Sequence, residues 1–84
     1  MVKIMIATKP YQAQLVVDGE WLMSPVWLSK KGKVEVSTQN QLQGMTFSHW
    51  EIDGKKITEE NPAILELPTV PPNQEVEILA VWKK

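Results

Sequence analysis

The residues best suited to chemistry fall on one short segment, Ser48-His49-Trp50-Glu51-Ile52-Asp53, where His49, Glu51 and Asp53 alternate. On an unbroken strand these three would share a face and could act as metal ligands or as an acid–base pair. Geometry opposes this reading. Alternate strand residues lie about 6.5–7 Å apart and the outer two about 13 Å apart, so one strand does not converge three side chains on one ion. The expectation is a solvated polar face that ends in a hairpin turn. Ligands from a second strand could come from Glu66, Glu75 or Glu77, but the sequence does not place these opposite His49. Nucleophilic catalysis has no better footing: none of Ser24, Ser29, Ser37 or Ser48 stands in a Gly-x-Ser-x-Gly elbow, and His49 is the only histidine. Gly19, Gly32, Gly44 and Gly54 are isolated turn glycines and cradle no phosphate. The absence of cysteine excludes a disulfide framework, a thiolate zinc site and a cysteine nucleophile. The chain reads as non-enzymatic, with no cofactor.

Charge narrows the partners. Nine basic against ten acidic residues give a net charge of −1, and every basic residue is a lysine. Without arginine there is no bidentate fork for phosphates or guanine edges, so no nucleic acid partner is expected. Lys30, Lys31 and Lys33 form the densest basic cluster, which reads as a solubilising hairpin tip or edge guard. The longest apolar run falls well short of the ~18 residues that span a bilayer, so no membrane insertion is expected. No signal peptide is visible after Met1, which fits either a cytoplasmic or virion protein or a module excised from a longer extracellular chain.

The elements that must position these residues are strands. Eighty-four residues form a single domain over 1–84, burying roughly 60–65% of the unfolded surface. Apolar residues recur at every second position: Val2, Ile4 and Ile6; Leu15 and Val17; Val26 and Leu28; Val34 and Val36; Ala63, Leu65 and Leu67; Val76, Ile78, Ala80 and Trp82. Asp18-Gly19 and Asp53-Gly54 are hairpin signals, and Ser24-Pro25 makes the strand after it an edge. The polar stretch from Thr38 to Gly44 reads as the longest loop, before a central strand over Met45–Asp53. Phe47 and Trp50 are three apart, so a bulge near Ser48-His49 is needed to turn both inward. The fold expected is all-β: a small two-layer antiparallel sandwich, Ig-like or β-grasp-like, of about seven short strands. Its core would hold Phe47, Trp50, Trp82, Ile78, Val17, Leu28 and Val36.

Thr46-Phe47-Ser48-His49-Trp50-Glu51-Ile52-Asp53-Gly54, then Asn61-Pro62, then Ile78-Leu79-Ala80-Val81-Trp82-Lys83 resembles the divergent relatives of the internalin-type B-repeat. Lys9-Pro10, Val16-Val17-Asp18-Gly19 and Ser24-Pro25-Val26 are similar to β-repeat modules of bacterial and archaeal surface proteins. Where those repeats commonly carry glycine before the strand tryptophan, this chain has His49. The resemblance implies a non-enzymatic, extracellular stalk or adhesion module. Such modules recur along one chain, whereas no internal repeat is visible in this sequence.

Strand parity divides the four tryptophans. Trp50 and Trp82 follow the inward alternation. Trp27, between Val26 and Leu28, and Trp21, beside Leu22, point outward. Met5, Met23, Val16, Leu79 and Val81 share that outward parity, which leaves more apolar surface than a solitary sandwich needs. Either the second face of a sheet is covered within the chain, or the patch docks on a protein partner or a copy of itself, or Trp21 and Trp27 stack on a sugar framed by Asp18, Glu20 and Ser29. The expected function is a structural or interaction module that uses Trp21, Trp27, Met23, Val16, Leu79 and Val81 as its interface. A small virion component, such as a capsid decoration or tail-associated protein, and a carbohydrate-binding module are the alternatives.

Overall fold

The alternation produces strands throughout the computed structural model, which describes residues 1–84 and contains no helix. In chain order these are β1 (Val2–Lys9), β2 (Gln14–Val17), β3 (Glu20–Met23), β4 (Val26–Lys30), β5 (Lys33–Thr38), β6 (Gln41–Leu42), β7 (Met45–Ile52), β8 (Lys55–Thr58), β9 (Ala63–Glu66) and β10 (Glu75–Lys83). A large sheet has the order β4-β1-β10-β7-β6, with β8 also paired to β7, and a small sheet has the order β3-β2-β5-β9. The architecture is the expected two-layer all-β sandwich. β4 lies at an edge, as its preceding proline requires.

Three features correct the sequence reading. The strands number ten and not about seven, and one of them, β6, lies inside the supposed loop and pairs with β7 through a tight turn at Gln43 (φ 48°) and Gly44 (φ 80°). The sheet is not wholly antiparallel, since β1 and β10 run parallel from Lys3↔Glu75 to Lys9↔Val81. Parallel neighbours need a long crossover; here almost the whole domain supplies it. Finally, β10 and not β7 occupies the middle of the large sheet.

The inward side chains form one core. Ile4 and Ile6 of β1 meet Val76, Ile78, Ala80 and Trp82 of β10, and across the layer Leu15, Val17, Val34, Val36 and Leu65. Of the seven expected core residues, Phe47 and Leu28 are only half-buried, packed against the rest. The bulge lies where alternation demanded it. Val81 pairs with His49 and Trp82 with Phe47, which leaves Ser48 as the extra residue. Phe47 therefore reaches both rings, 5.5 Å from Trp50 and 5.9 Å edge-on to Trp82. The two buried indoles donate to backbone carbonyls, Trp50 Nε1 to Glu60 and Trp82 Nε1 to Gln39, each at 3.0 Å. These bonds remove the penalty of burying an N–H.

The sequence shows no repeat, yet the chain traces one path twice. First the β2–β3 hairpin lies in the small sheet, β4 crosses to an edge of the large sheet, and β5 returns to pair with β2. Then the β7–β8 hairpin lies in the large sheet, β9 crosses to an edge of the small sheet, and β10 returns to pair with β7. β1 is inserted between β4 and β10. The two Asp-Gly turns share one clip. Asp18 N–H donates to the Glu35 carbonyl (2.9 Å) while Asp18 Oδ1 accepts the Glu35 N–H (3.0 Å). Asp53 makes the same pair of bonds with Glu77, at 2.8 and 2.9 Å.

Candidate functional site

The cluster around His49 differs from its expected solvated face. The His49 side chain is only 8% exposed. Its Nδ1 lies 2.8 Å from Ser48 Oγ and its Nε2 2.8 Å from Glu51 Oε2. The bulge causes this, because the extra residue at Ser48 brings its hydroxyl beside the ring while His49 and Glu51 stay on the outer face of the large sheet. Val81 is the cross-strand neighbour of His49 and Lys56 that of Glu51. Asp53 is drawn away to its clip with Glu77. No group of three or more His, Cys, Asp or Glu side chains is placed to hold a metal ion.

The six expected interface residues are not brought together. Trp27 belongs to the large sheet, in register with Met5, and the row beside it carries Ala7, Leu79 and Glu51. Val81 continues the band along β10. Trp21 belongs to the small sheet, in register with Val16, and Met23 pairs with Gln14 in the next row. The outer faces of a sandwich point in opposite directions, so the expected single patch is two. Trp27 is 65% and Trp21 68% exposed; Met23 is exposed too, whereas Val16, Leu79 and Val81 are half-buried.

The two exposed tryptophans border different clefts, Trp21 one and Trp27 two. Trp27 with Leu28, Ile4, Ser29, Lys3 and Glu75 lines one of about 300 Å³. Trp21 with Val16, Gln14, Ser37, Thr38 and Gln39 lines another of about 230 Å³. The polar neighbours expected beside the rings were Asp18, Glu20 and Ser29; all three lie at clefts that Trp27 borders, Ser29 at the first and Asp18 and Glu20 at a second shared with Val17, Leu22, Val26 and Leu28, and none lies at the Trp21 cleft. Ser37 escaped the sequence reading because β2 and β5 pair over a long separation, whereas Gln14, which shares the outward parity of Val16 in the local β2–β3 hairpin, could have been found from the Asp18-Gly19 turn.

Asp18 has a different task. Its Oδ2 lies 2.8 Å from Lys30 Nζ, which ties the β2–β3 turn of the small sheet to edge strand β4 of the large one. The hydrogen bond from Lys30, then that from the Glu35 N–H, holds the Asp18 carboxyl below the usual carboxylate range. Comparison with known proteins adds no name to this geometry: no family model matches the chain, and no curated protein or solved structure matches it.

Proposed function

We propose that the chain is a non-catalytic structural module that associates with a second copy of itself through the outer face of the large sheet. The observation that carries this reading is the layout of that face. Trp27, Met5, Ala7, Leu79 and Val81 form an apolar band over β4, β1 and β10. Glu77 shares the end row of Trp27 and Met5, with Glu75 just beyond it, and Lys9 shares the opposite end row of Val81, with Lys83 just beyond, so the acidic and basic pairs are centred about 20 Å apart along the strands. A two-fold axis lying in the face and perpendicular to the strands sets the acidic end of one copy on the basic end of the other. The apolar band then meets itself. Lys3, in register with Glu75, partly neutralises the acidic end.

The role is the one implied by the likeness to surface-protein β-repeats, where neighbouring modules would meet through such a face; in a small virion component the neighbour would be the next subunit. Ser48, His49 and Glu51 form a hydrogen-bonded chain with the atom types of a hydrolytic triad, but the principal surface clefts are lined by other residues. That geometry favours a structural role for the chain of bonds, which fastens the bulge.

Light scattering over a concentration series tests the proposal. The wild type forms a dimer that dissociates on dilution, and Leu79→Lys is monomeric with unchanged thermal stability. A wild-type protein that stays monomeric at about 1 mM, the weakest affinity worth calling association, defeats the proposal.

A further inference from the structure

The two halves of the fold provide a comparison within one molecule. The row Trp21–Val16–Ser37 of the small sheet occupies the place that Lys56–Glu51–Leu79 occupies in the large sheet, strand for strand. Next to it, Gln14 stands where His49 stands, two residues ahead of the row's central residue. In the large sheet that place is closed by the chain's own side chains, since His49 is bonded on both ring nitrogens and nearly inaccessible. In the small sheet the same place is an open groove. Val16 is its floor, the Trp21 indole is one wall, and Ser37, Thr38 and Gln39 form the other, roughly 10 Å away across two strand spacings.

Its chemistry is specific. No charged side chain lines the groove. Thr38 Oγ1 donates to the Gln14 carbonyl and Gln39 Nε2 to the Gln41 carbonyl, each at 2.7 Å. The Gln14 amide, the Ser37 hydroxyl and Gln39 Oε1 are left for a ligand, two acceptor-and-donor groups and one acceptor. An indole face carries negative quadrupole density that attracts weakly positive C–H groups, so it suits the apolar face of a sugar ring. The surrounding amides and hydroxyl suit that ring's hydroxyls.

We infer that this groove binds a neutral saccharide, with the ring stacked on Trp21 and its hydroxyls bonded to Gln14, Ser37 and Gln39. Two quantities favour a sugar over a protein. At about 230 Å³ the groove lies below the roughly 300 Å³ at which drug-sized pockets begin, which suits one ring at a time. Trp21 at 68% and Met23 at 60% exposure are separated from the next exposed apolar side chain of this sheet, Ile64 at 61%, by Glu35, so the face lacks the continuous apolar centre of a protein interface. A charged sugar would meet no counter-charge here, and Glu20 and Glu35, on the neighbouring strands, would repel an acidic one.

The test uses the whole chain and a panel of neutral oligosaccharides: cellotriose, mannotriose and tri-N-acetylchitotriose. Amide and indole resonances are followed by NMR during each titration, with a Kd on the order of 1 mM or tighter expected for a small uncharged ligand. Binding by at least one of them, with shifts confined to the Trp21 indole N–H, the Gln14 and Gln39 side-chain amides and the Ser37 backbone, supports the inference. Trp21→Ala should weaken that binding at least tenfold and Ser37→Ala several-fold, while Trp27→Ala leaves it unchanged. No binding by any of the three at tens of millimolar overturns it, as does binding that survives Trp21→Ala. Shifts in the groove that follow protein concentration without sugar also overturn it, because they would make a protein surface the occupant.

Discussion

Replacement of Trp27 by alanine is the sharpest perturbation of the proposed interface. A tryptophan buries about 150–250 Å² when fully covered, and with 65% of the ring exposed in the single chain roughly 100–160 Å² remains to be covered on association. At about 25 cal/mol per Å² this is about 2.5–4 kcal/mol per ring. A two-fold dimer contains the ring twice, so the variant loses about 5–8 kcal/mol at full burial. Every 1.4 kcal/mol is tenfold in affinity, and the dimer dissociation constant should rise at least about a thousandfold. Folding stability should stay within about 0.5 kcal/mol of the parent, because the ring is not part of the core. Sedimentation equilibrium at several concentrations measures the first quantity and urea unfolding the second. Raising the salt from 0.15 to 1 M should weaken the parent dimer as well, through Glu75, Glu77, Lys9 and Lys83. Trp21→Ala, on the opposite face, is the control and should dimerise normally. A Trp27→Ala protein that dissociates at the same concentration as its parent would refute the argument, since no other side chain on that face exposes comparable apolar area.

Asp18→Asn keeps the left-handed turn and an oxygen for the Glu35 N–H but loses the charge opposite Lys30. Because the folded carboxyl titrates below its ordinary 3.8, the ion pair stabilises above that value and the contribution disappears as pH falls through the folded pKa. Urea unfolding should show a loss of about 0.2–1 kcal/mol at pH 7, the range for a partly exposed pair, and none near pH 2; a loss that persists in acid contradicts the assignment. Trp50→Ala empties the centre of the core and strands the Glu60 carbonyl, at a cost of about 3–5 kcal/mol. In a chain this short that is a large share of a total of about 4–13 kcal/mol, so circular dichroism should show a much lowered melting temperature. Gln43→Asn should do the opposite and add about 0.5 kcal/mol or more, because Asn-Gly suits the two positive φ angles of the β6–β7 turn better than Gln-Gly.

Legibility in the sequence followed the range of the interaction. Alternation placed Ile4, Ile6, Val76, Ile78 and Trp82 inward correctly, because a side chain's face depends on its own strand. The two Asp-Gly hairpins and the Ser48 bulge were readable for the same reason: each is decided within a few residues. β6 was hidden, since Gln43-Gly44 lacks the asparagine or aspartate that usually marks such a turn and Gln41-Leu42 is too short to show a period. The fate of His49 was hidden differently. Parity put it outward, which it is, but outward parity is not exposure when a bulge lets a neighbour close over the ring.

The outward tryptophans show where parity stops. It gives the side of a strand and never says which of two sheets that strand joins, so Trp21 and Trp27 share one reading in sequence and face opposite ways in the fold. The repeated path was hidden for a related reason. The Asp-Gly turns of the two halves are 35 residues apart, the crossing prolines 37 and the clipped glutamates 42, so no fixed period runs through the shared features. What the halves keep is the part that packing and backbone hydrogen bonding constrain: Leu15 and Val17 against Trp50 and Ile52, Val26 and Leu28 against Ala63 and Leu65, and the two aspartate clips. On the outer faces nothing in the core dictates the residue, and there the halves diverge, one place filled by Glu51 and Lys56 and its counterpart left to Val16 and Trp21. Positions free of packing constraint are where residues can differ without loss of the fold, which is why both proposals, the association through Trp27 and the groove beside Trp21, rest on the outer faces and not on the interior.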